Sequence, residues 1–397
     1  MKYLILIGDG MGDFPLEELG GKTPLQAAYT PGMDFLARNG ELGLVRTVPD
    51  GFEPGSDVAN LCILGYDPRQ FYTGRGPLEA GSLGIKMAAD DVAFRCNLVT
   101  LGFRDGQVIM ADYSAGHIST EEARSMVNDI QQVRASGLSI YPGVSYRHLL
   151  VWANGDEKIV TVPPHDHSGK DVTRYWAVYE STPGLAGWIS SVTAILKDHP
   201  VNRKREHLGK NPGNAVWLWG QGRAPRMPKF SDRFGISGGI ISAVDLLKGI
   251  GVYAGLEPIS VPGATGYLDT NYRGKAEYAL AALKKKDLVI VHVEAPDEAS
   301  HGGSLEEKMN AIESFDREVV QRTTDGMTGF DEYRILLVTD HYTPVSLKTH
   351  VAEAVPFAVF SSQKCPEQSQ LGFNEIDAKK TGLFIAEGHK LIERLME

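Results

Sequence analysis

The chain is poor in cysteine, carries no excess of positive charge and has no long apolar run, and each shortage closes off a class of protein. Of its 397 residues three are cysteine, Cys62, Cys96 and Cys365, scattered along the chain and odd in number. That argues against a disulfide framework and for a reducing compartment. The 40 Lys and Arg against 50 Asp and Glu leave a formal net charge of −10, so there is no wholesale basic footprint for nucleic acid. The apolar run Tyr3 to Ile7 is cut by Gly8-Asp9 and is too short for the hydrophobic region of a secretory signal. Nothing elsewhere approaches a membrane span. Internal repeats and low-complexity tracts are missing too. What remains, 42% hydrophobic and 23% charged residues, reads as a soluble, cytoplasmic, enzyme-sized protein with no nucleic-acid or membrane partner.

Nucleotide-binding motifs are also lacking. Gly8-Asp-Gly-Met-Gly12 follows an apolar strand, but Asp13 breaks the dinucleotide fingerprint, and an acidic pair is the wrong lining for a pyrophosphate. Gly20-Gly-Lys-Thr23 ends like a phosphate-binding loop, yet Leu16 stands where its first glycine belongs. No nucleotide cofactor is expected.

The apolar runs Met1 to Ile7, Asp287 to Val293, Arg334 to Thr339 and Val355 to Phe360 predict buried strands. Helical patterns at Arg273 to Lys286 and Ser304 to Arg322 separate them, which predicts an α/β fold with a central, mostly parallel sheet. Between about Ala88 and Phe230 the pattern changes to short alternating strands (Val92 to Thr100, Ser145 to Trp152), a helix near Thr120 to Ser136, and Pro/Gly loops. The expectation is a smaller α+β domain, 88–230, inserted into a discontinuous domain formed by 1–87 and 231–397. The basic stretch Asn202 to Lys210 reads as a solvated surface segment.

Ligands of open α/β sheets bind at the C-terminal ends of the strands, and acidic and histidine residues cluster there. Asp9 closes the first strand, and Asp340-His341 closes the Arg334 to Thr339 strand. Asp297 and His301 follow Val293 at a spacing of four, which puts both on one face of a helical turn after Pro296. His350 precedes the last strand. Any one of these is unremarkable as a turn, cap or polar surface residue; together they predict a metal centre. Carboxylates mixed with imidazoles suit Mn²⁺, Zn²⁺ or Fe²⁺ better than an all-oxygen Mg²⁺ or Ca²⁺ cage. In Glu53-Pro-Gly-Ser-Asp-Val-Ala-Asn-Leu61, Ser56 is expected at the cap of a helix starting near Asp57. Such a serine either caps the helix or attacks a phosphoryl group stabilised by its N-terminus.

Taken together, Gly8-Asp9-Gly10, Pro54-Gly-Ser-Asp-Val-Ala-Asn60, Asp297-x-x-x-His301, Thr339-Asp-His341 and His350 resemble the alkaline phosphatase superfamily of two-metal enzymes. Within it the chain is similar to the cofactor-independent phosphoglycerate mutases of archaeal type and their bacterial relatives, over essentially its whole length, Gly74-Arg-Gly-Pro-Leu-Glu-Ala80 included. The resemblance implies an alkaline-phosphatase-like metal domain interrupted by the insert. It implies one metal on Asp9, Ser56, Asp340 and His341, with Ser56 as nucleophile, and another on Asp297, His301 and His350. The metals implied are Mn²⁺, with Mg²⁺, Co²⁺ or Zn²⁺ as substitutes. The activity implied is interconversion of 3-phosphoglycerate and 2-phosphoglycerate through a phosphoserine, with no nucleotide and no 2,3-bisphosphoglycerate. The insert is then expected to exclude water and to supply cations for the substrate carboxylate, from among Arg95, Arg147, His148 and His117, with Arg75 near the domain junction as a further candidate. His165-x-His167, in a Pro/Gly loop apart from the acidic cluster, is not read as a metal site.

Asp112-Tyr-Ser-Ala-Gly-His-Ile118 and Val293-Glu-Ala-Pro-Asp-Glu298 fit the bacterial branch, for which homoserine kinase-like members have been proposed. A homoserine kinase-like phosphotransferase, for which Asp112 or Asp166 could meet the ammonium group, and a metal-dependent phosphatase are therefore the alternative readings. A non-catalytic metal-binding scaffold is disfavoured, because Ser56 and all six other ligands are present. Oligomeric state is not legible.

Overall fold

The structure, a computed structural model, describes residues 1–133, 137–363 and 369–397. Cys365 and the end of the helix expected at Thr120 to Ser136 lie outside the described residues. The chain divides into two compact units, Met1–Tyr72 with Arg226–Glu397, and Thr73–Pro225. A discontinuous domain interrupted by one insert is thus the architecture, but the divisions fall earlier than 87/88 and 230/231. The first division moves because the helix Arg75–Ser82 packs on strands Val92–Arg104 and Ala215–Arg223 of the insert. It packs closely enough that a Cβ on Gly76 would lie 2.5 Å from the carbonyl oxygen of Ala93.

The first unit is built on an eight-stranded sheet with helices packed against it. Strand Lys2–Gly8 runs parallel to Leu288–Val293 on one side and Tyr333–Thr339 on the other. Gly238–Ile241 and Glu257–Pro258 extend the parallel side. Past Tyr333–Thr339 the order continues through Val355–Ser361, Glu41–Val45 and Phe384–Ile385, of which only Val355–Ser361 runs against the rest. Every residue of Leu288–Val293 and Tyr333–Thr339 is buried, as expected of parallel strands covered on both faces. Register then places the chemistry: Gly8 pairs with both Val293 and Thr339, so three neighbouring strands stop at one level. The residues that follow, Asp9, Glu294 and Asp340, emerge along one edge of the sheet.

The helix expected over Ser304 to Arg322 departs from regularity. Leu305–Phe315 passes through a π-helical stretch, Asp316–Gln321, into Arg322–Met327. Within the π-helix the buried Asp316 carboxylate accepts the backbone N–H groups of Gly32 and Met33, at 3.1 and 2.6 Å, and so caps the helix Pro31–Arg38.

The insert forms a five-stranded antiparallel sheet centred on Val92–Arg104, which pairs with Gln107–Asp112, Arg147–Trp152 and Ala215–Arg223. Helices Thr120–Ile130, Thr173–Ser181 and Ala186–Lys197 supply much of its separate core. The stretch Asn202 to Lys210 is not wholly a solvated segment: it contributes to the helix Pro200–His207, whose Arg205 is only 2% exposed. Among the described residues no helix is long and apolar enough to cross a membrane.

Candidate active site

At the shared strand edge of the first unit, two groups of side chains converge. Asp9, Asp340 and His341 form one, and Asp297, His301 and His350 the other; within each, one potential ligand atom per residue lies within 4.8 Å of the others.

The first group is buried and tightly held. His341 Nε2 lies 3.3 Å from Asp9 Oδ1 and 3.5 Å from Asp340 Oδ2. One oxygen of Asp340 accepts the backbone N–H groups of Gly10 and His341, at 3.0 and 2.9 Å, and the other accepts Asn60 Nδ2 at 3.0 Å. Asp9 Oδ2 accepts His292 Nε2 at 2.8 Å, while Asp9 Oδ1 is buried without a hydrogen-bond partner. Burial, with Asp340, Asp297 and Glu294 nearby, raises the Asp9 carboxyl well above its usual range. His292 is pushed the other way: burial and the neighbouring Lys275 ammonium hold it neutral.

In the second group, the helix Ala295–Gly302 brings Asp297 and His301 to one face. His301 Nε2 is 3.2 Å from Asp297 Oδ2, His350 Nε2 is 3.4 Å from Asp297 Oδ1, and the two Nε2 atoms are 2.9 Å apart. Backbone carbonyls fix both tautomers: His301 Nδ1 faces Lys348 O at 3.0 Å and His350 Nδ1 faces Pro54 O at 3.3 Å. With both protons on Nδ1, two imidazole lone pairs and a carboxylate aim at one point, which demands a positive charge there. The same field acts on protons, since the hydrogen bond to Asp297 pushes His301 up to about 9. Thr343 ties the groups together, donating from Oγ1 to Asp297 Oδ1 at 2.6 Å and lying 3.1 Å from His341 Nδ1. Gly10, at φ +61°, permits this approach: a Cβ there would sit 2.5 Å from Asp297 Oδ1.

Ser56 opens the helix Ser56–Ile63, and Gly55, not Ser56, occupies its cap position. Its hydroxyl is instead 3.1 Å from His341 Nε2 and 3.4 Å from Asp9 Oδ2. The structure therefore gathers all seven residues singled out for metal and nucleophile into the first unit.

The insert candidates separate from one another. Arg95 is half-buried, ion-paired to Glu79 at 2.9 Å and stacked over Trp219 with 4.3 Å from Cζ to the ring centre. Gly220 has both Arg75 and Arg95 beside it: a Cβ there would lie 3.5 Å from Arg75 Cβ and 3.7 Å from Arg95 Cδ. Arg147 lies over the Tyr146 ring, and His117 sits edge-on to Tyr113 and Tyr146. His148 is buried in the Arg147–Trp152 strand, its Nδ1 accepts Gly143 N–H, and burial pulls it down to about 4. Asp112 is likewise committed. Its oxygens accept from Ser114, Gly116 and Asn211, which engages in a turn one of the two acidic groups, Asp112 and Asp166, on which the homoserine alternative could draw.

Comparison with known proteins bears on the same reading. A family model described as 2,3-bisphosphoglycerate-independent phosphoglycerate mutase matches residues 37–202. A Geobacter sulfurreducens protein named as a probable 2,3-bisphosphoglycerate-independent phosphoglycerate mutase is 52% identical over 398 residues, covering 100% of both chains. The chain belongs to the 2,3-bisphosphoglycerate-independent phosphoglycerate mutase family. A Methanosarcina acetivorans member is 51% identical, again over 100% of both chains. Among solved structures, a Pyrococcus horikoshii protein aligns at TM-score 0.83 and 29% identity, over 100% of this chain and 96% of its own. The cofactor-independent phosphoglycerate mutase of Thermoplasma acidophilum aligns at 0.68 and 26%, over 100% and 99%.

For a member of this mutase family, the donor sets fit divalent metals. Carboxylates crowd around Asp9, one of its oxygens lacks a hydrogen-bond donor, and imidazole lone pairs point inward in both groups. Sequence reading missed Asn60, His292 and Thr343. Asn60 lies four residues after Ser56 on the same helix face, a spacing that could have marked it. His292, flanked by Val291 and Val293 in an apolar run, offered only the oddity of an imidazole in a buried strand.

Proposed function

We propose that this chain interconverts 3-phosphoglycerate and 2-phosphoglycerate through a phosphoserine on Ser56, with one divalent cation on Asp9, Ser56, Asp340 and His341 and a second on Asp297, His301 and His350. The observation that carries the reading is the place of Ser56 Oγ, turned away from helix capping and towards His341 Nε2 and Asp9 at 3.1 and 3.4 Å. Family membership at 52% identity supplies the substrate.

The cations, when bound, neutralise the transferring phosphoryl group and make the serine hydroxyl easier to deprotonate. Ser56 Oγ bonds to phosphorus as the bond from phosphorus to O3 of the glycerate breaks, and O3 takes up a proton. After the glycerate reorients, its O2 attacks the phosphoserine, the bond to Oγ breaks, and Ser56 regains a proton. The two half-reactions balance without nucleotide or bisphosphoglycerate. Ser56 is the first residue of the helix Ser56–Ile63, so a phosphoryl group on its Oγ would lie at the positive end of the helix dipole. Asn60 steadies this turn, donating to Ser56 O at 2.8 Å and to Asp340 at 3.0 Å. In the insert, Arg75, Arg95 and Arg147 are cations of the kind a carboxylate needs, with His117 beside the Tyr113 and Tyr146 rings. Mixed oxygen and nitrogen donors favour Mn²⁺, with Mg²⁺, Co²⁺ or Zn²⁺ as substitutes. The buried free thiols of Cys62 and Cys96 fit a cytoplasmic enzyme.

The test is metal-stripped protein, re-supplied with Mn²⁺ and given 3-phosphoglycerate alone. Formation of 2-phosphoglycerate, abolished by a chelator, is the expected result. Folded, metal-loaded protein that leaves 3-phosphoglycerate untouched rejects the substrate.

A further inference from the structure

His292 is fully buried near the end of the strand Leu288–Val293, and its ring joins two polar groups. Nε2 lies 2.8 Å from Asp9 Oδ2, and Nδ1 lies 3.3 Å from Ser242 Oγ. Ser242 Oγ also receives the backbone N–H of Val244 at 3.0 Å. An ionised carboxylate only accepts, so the Asp9 end of this series puts the ring proton on Nε2 and leaves Nδ1 to accept from the Ser242 hydroxyl. Val244 N–H donates to Ser242 Oγ, Ser242 O–H donates to Nδ1, and Nε2–H donates to Asp9 Oδ2. The opposite tautomer would press a ring lone pair against a carboxylate oxygen at 2.8 Å. Asp9 Oδ2 is therefore committed to the protein, while Oδ1 accepts no hydrogen bond and faces His341 Nε2 at 3.3 Å. The strand end that carries the ring is itself anchored, because the buried Lys275 Nζ donates to His292 O at 2.9 Å.

We infer that His292 is the positioning residue of the nucleophile-side metal: it locks Asp9 in the orientation that presents Oδ1 alone to the cation. The inference rests on the assignment of Asp9 as a metal ligand made above. Rings that orient ligands in this way typically matter about 10–100-fold in metal affinity. A ring on a buried central strand is well suited to the task, since it moves less than a loop residue.

The experiment is a calorimetric Mn²⁺ titration of metal-stripped protein, comparing wild type with His292→Phe and His292→Gln. In His292→Phe one of the two binding steps weakens by about 10–100-fold and the other is unchanged. Glutamine, whose side-chain N–H reaches towards Asp9 Oδ2, recovers most of the loss. A purely structural histidine predicts instead that Gln rescues nothing and that both steps shift together. Ser242→Ala keeps the ring but removes the hydroxyl that donates to Nδ1 and steadies it, and weakens the same step to a smaller degree. If His292→Phe does not fold, Ser242→Ala decides, and unchanged affinities in it overturn the inference. Equal affinities in His292→Phe and wild type remove the inference alone. Wild-type protein that takes up no Mn²⁺ removes the metal assignment with it.

Discussion

Replacing Ser56 by alanine separates chemistry from metal binding, because the hydroxyl is the only atom removed from a site otherwise held by carboxylates and imidazoles. Asp9, Asp340 and His341 keep their mutual geometry through Gly10, Asn60 and Thr343, none of which depends on Ser56 Oγ. Turnover of 3-phosphoglycerate in Ser56→Ala is expected to fall by at least about a thousandfold, with two metals per chain still bound. Measuring both on one preparation decides the matter, and a rate within tenfold of wild type rejects the phosphoserine. At this scale the sequence was informative where chemistry and chain position coincide. Asp9 and Asp340 follow apolar runs, and Asp297 and His301 recur at a helical spacing, so strand ends and helix faces could be read directly. His292 and Thr343 carry no such marker. Their roles come from which atoms face Asp9 and Asp297 once the strands are in register, and register is a long-range property.

Elements far from the reacting atoms hold the site in place, and two of them can be tested. The first is the helix Glu375–Lys380, whose Glu375 accepts Asp13 N–H at 3.0 Å and Thr23 Oγ1 at 2.6 Å. Asp13 in turn pairs at 2.9 Å with the buried Lys308, which also donates to Gly12 O and Thr343 O. Burial raises the Glu375 carboxyl from an ordinary 4.5 to about 7. The folded state therefore keeps a proton that the unfolded chain has already lost, so this group's contribution is most favourable below the lower value. It worsens as pH rises through the window and is constant beyond the upper one. Glu375→Gln removes that loss, so the stability of the variant relative to wild type is expected to climb by about 3 kcal/mol between pH 4.5 and 8. Urea melts across that range check it, and a difference independent of pH refutes it. The second element is the left-handed turn Ala115, Gly116 and His117, with φ of 49°, 63° and 47°. Arg205 clasps it, donating to Ala115 O at 2.6 Å and Asn211 O at 2.9 Å while paired with Glu122 at 2.6 Å. Arg205→Met leaves Glu122 and these carbonyls without their donor and is expected to destabilise the insert by about 3 kcal/mol. A variant as stable as wild type in urea melts would contradict the clasp. Neither element was legible beforehand. Arg205 sits in a run of charges that reads as solvated surface, and Glu375 finds its partners Asp13 and Thr23 only across nearly the whole length of the chain.

For the whole molecule, the division into two units with separate cores makes metal binding a local stabiliser. All seven candidate ligands belong to Met1–Tyr72 and Arg226–Glu397; none belongs to Thr73–Pro225. A cation that binds the folded state stabilises it by mass action, by about 2.7 kcal/mol at a hundredfold excess over Kd. In the absence of that gain, crowded carboxylates around Asp9 repel one another at the very edge where three strands end. Chelation is thus expected to lower the protection of amides in Leu288–Val293 and Tyr333–Thr339 while leaving Val92–Arg104 in the insert unchanged. Hydrogen exchange read segment by segment, with and without chelator, measures both at once. Equal loss in the two units would mean that they unfold together despite their separate cores, and loss confined to the insert would place the metals outside the strand edge. Loss confined to the first unit is the outcome that the register of its parallel strands requires, because the same pairing of Gly8 with Val293 and Thr339 that sets the core also brings the ligands together.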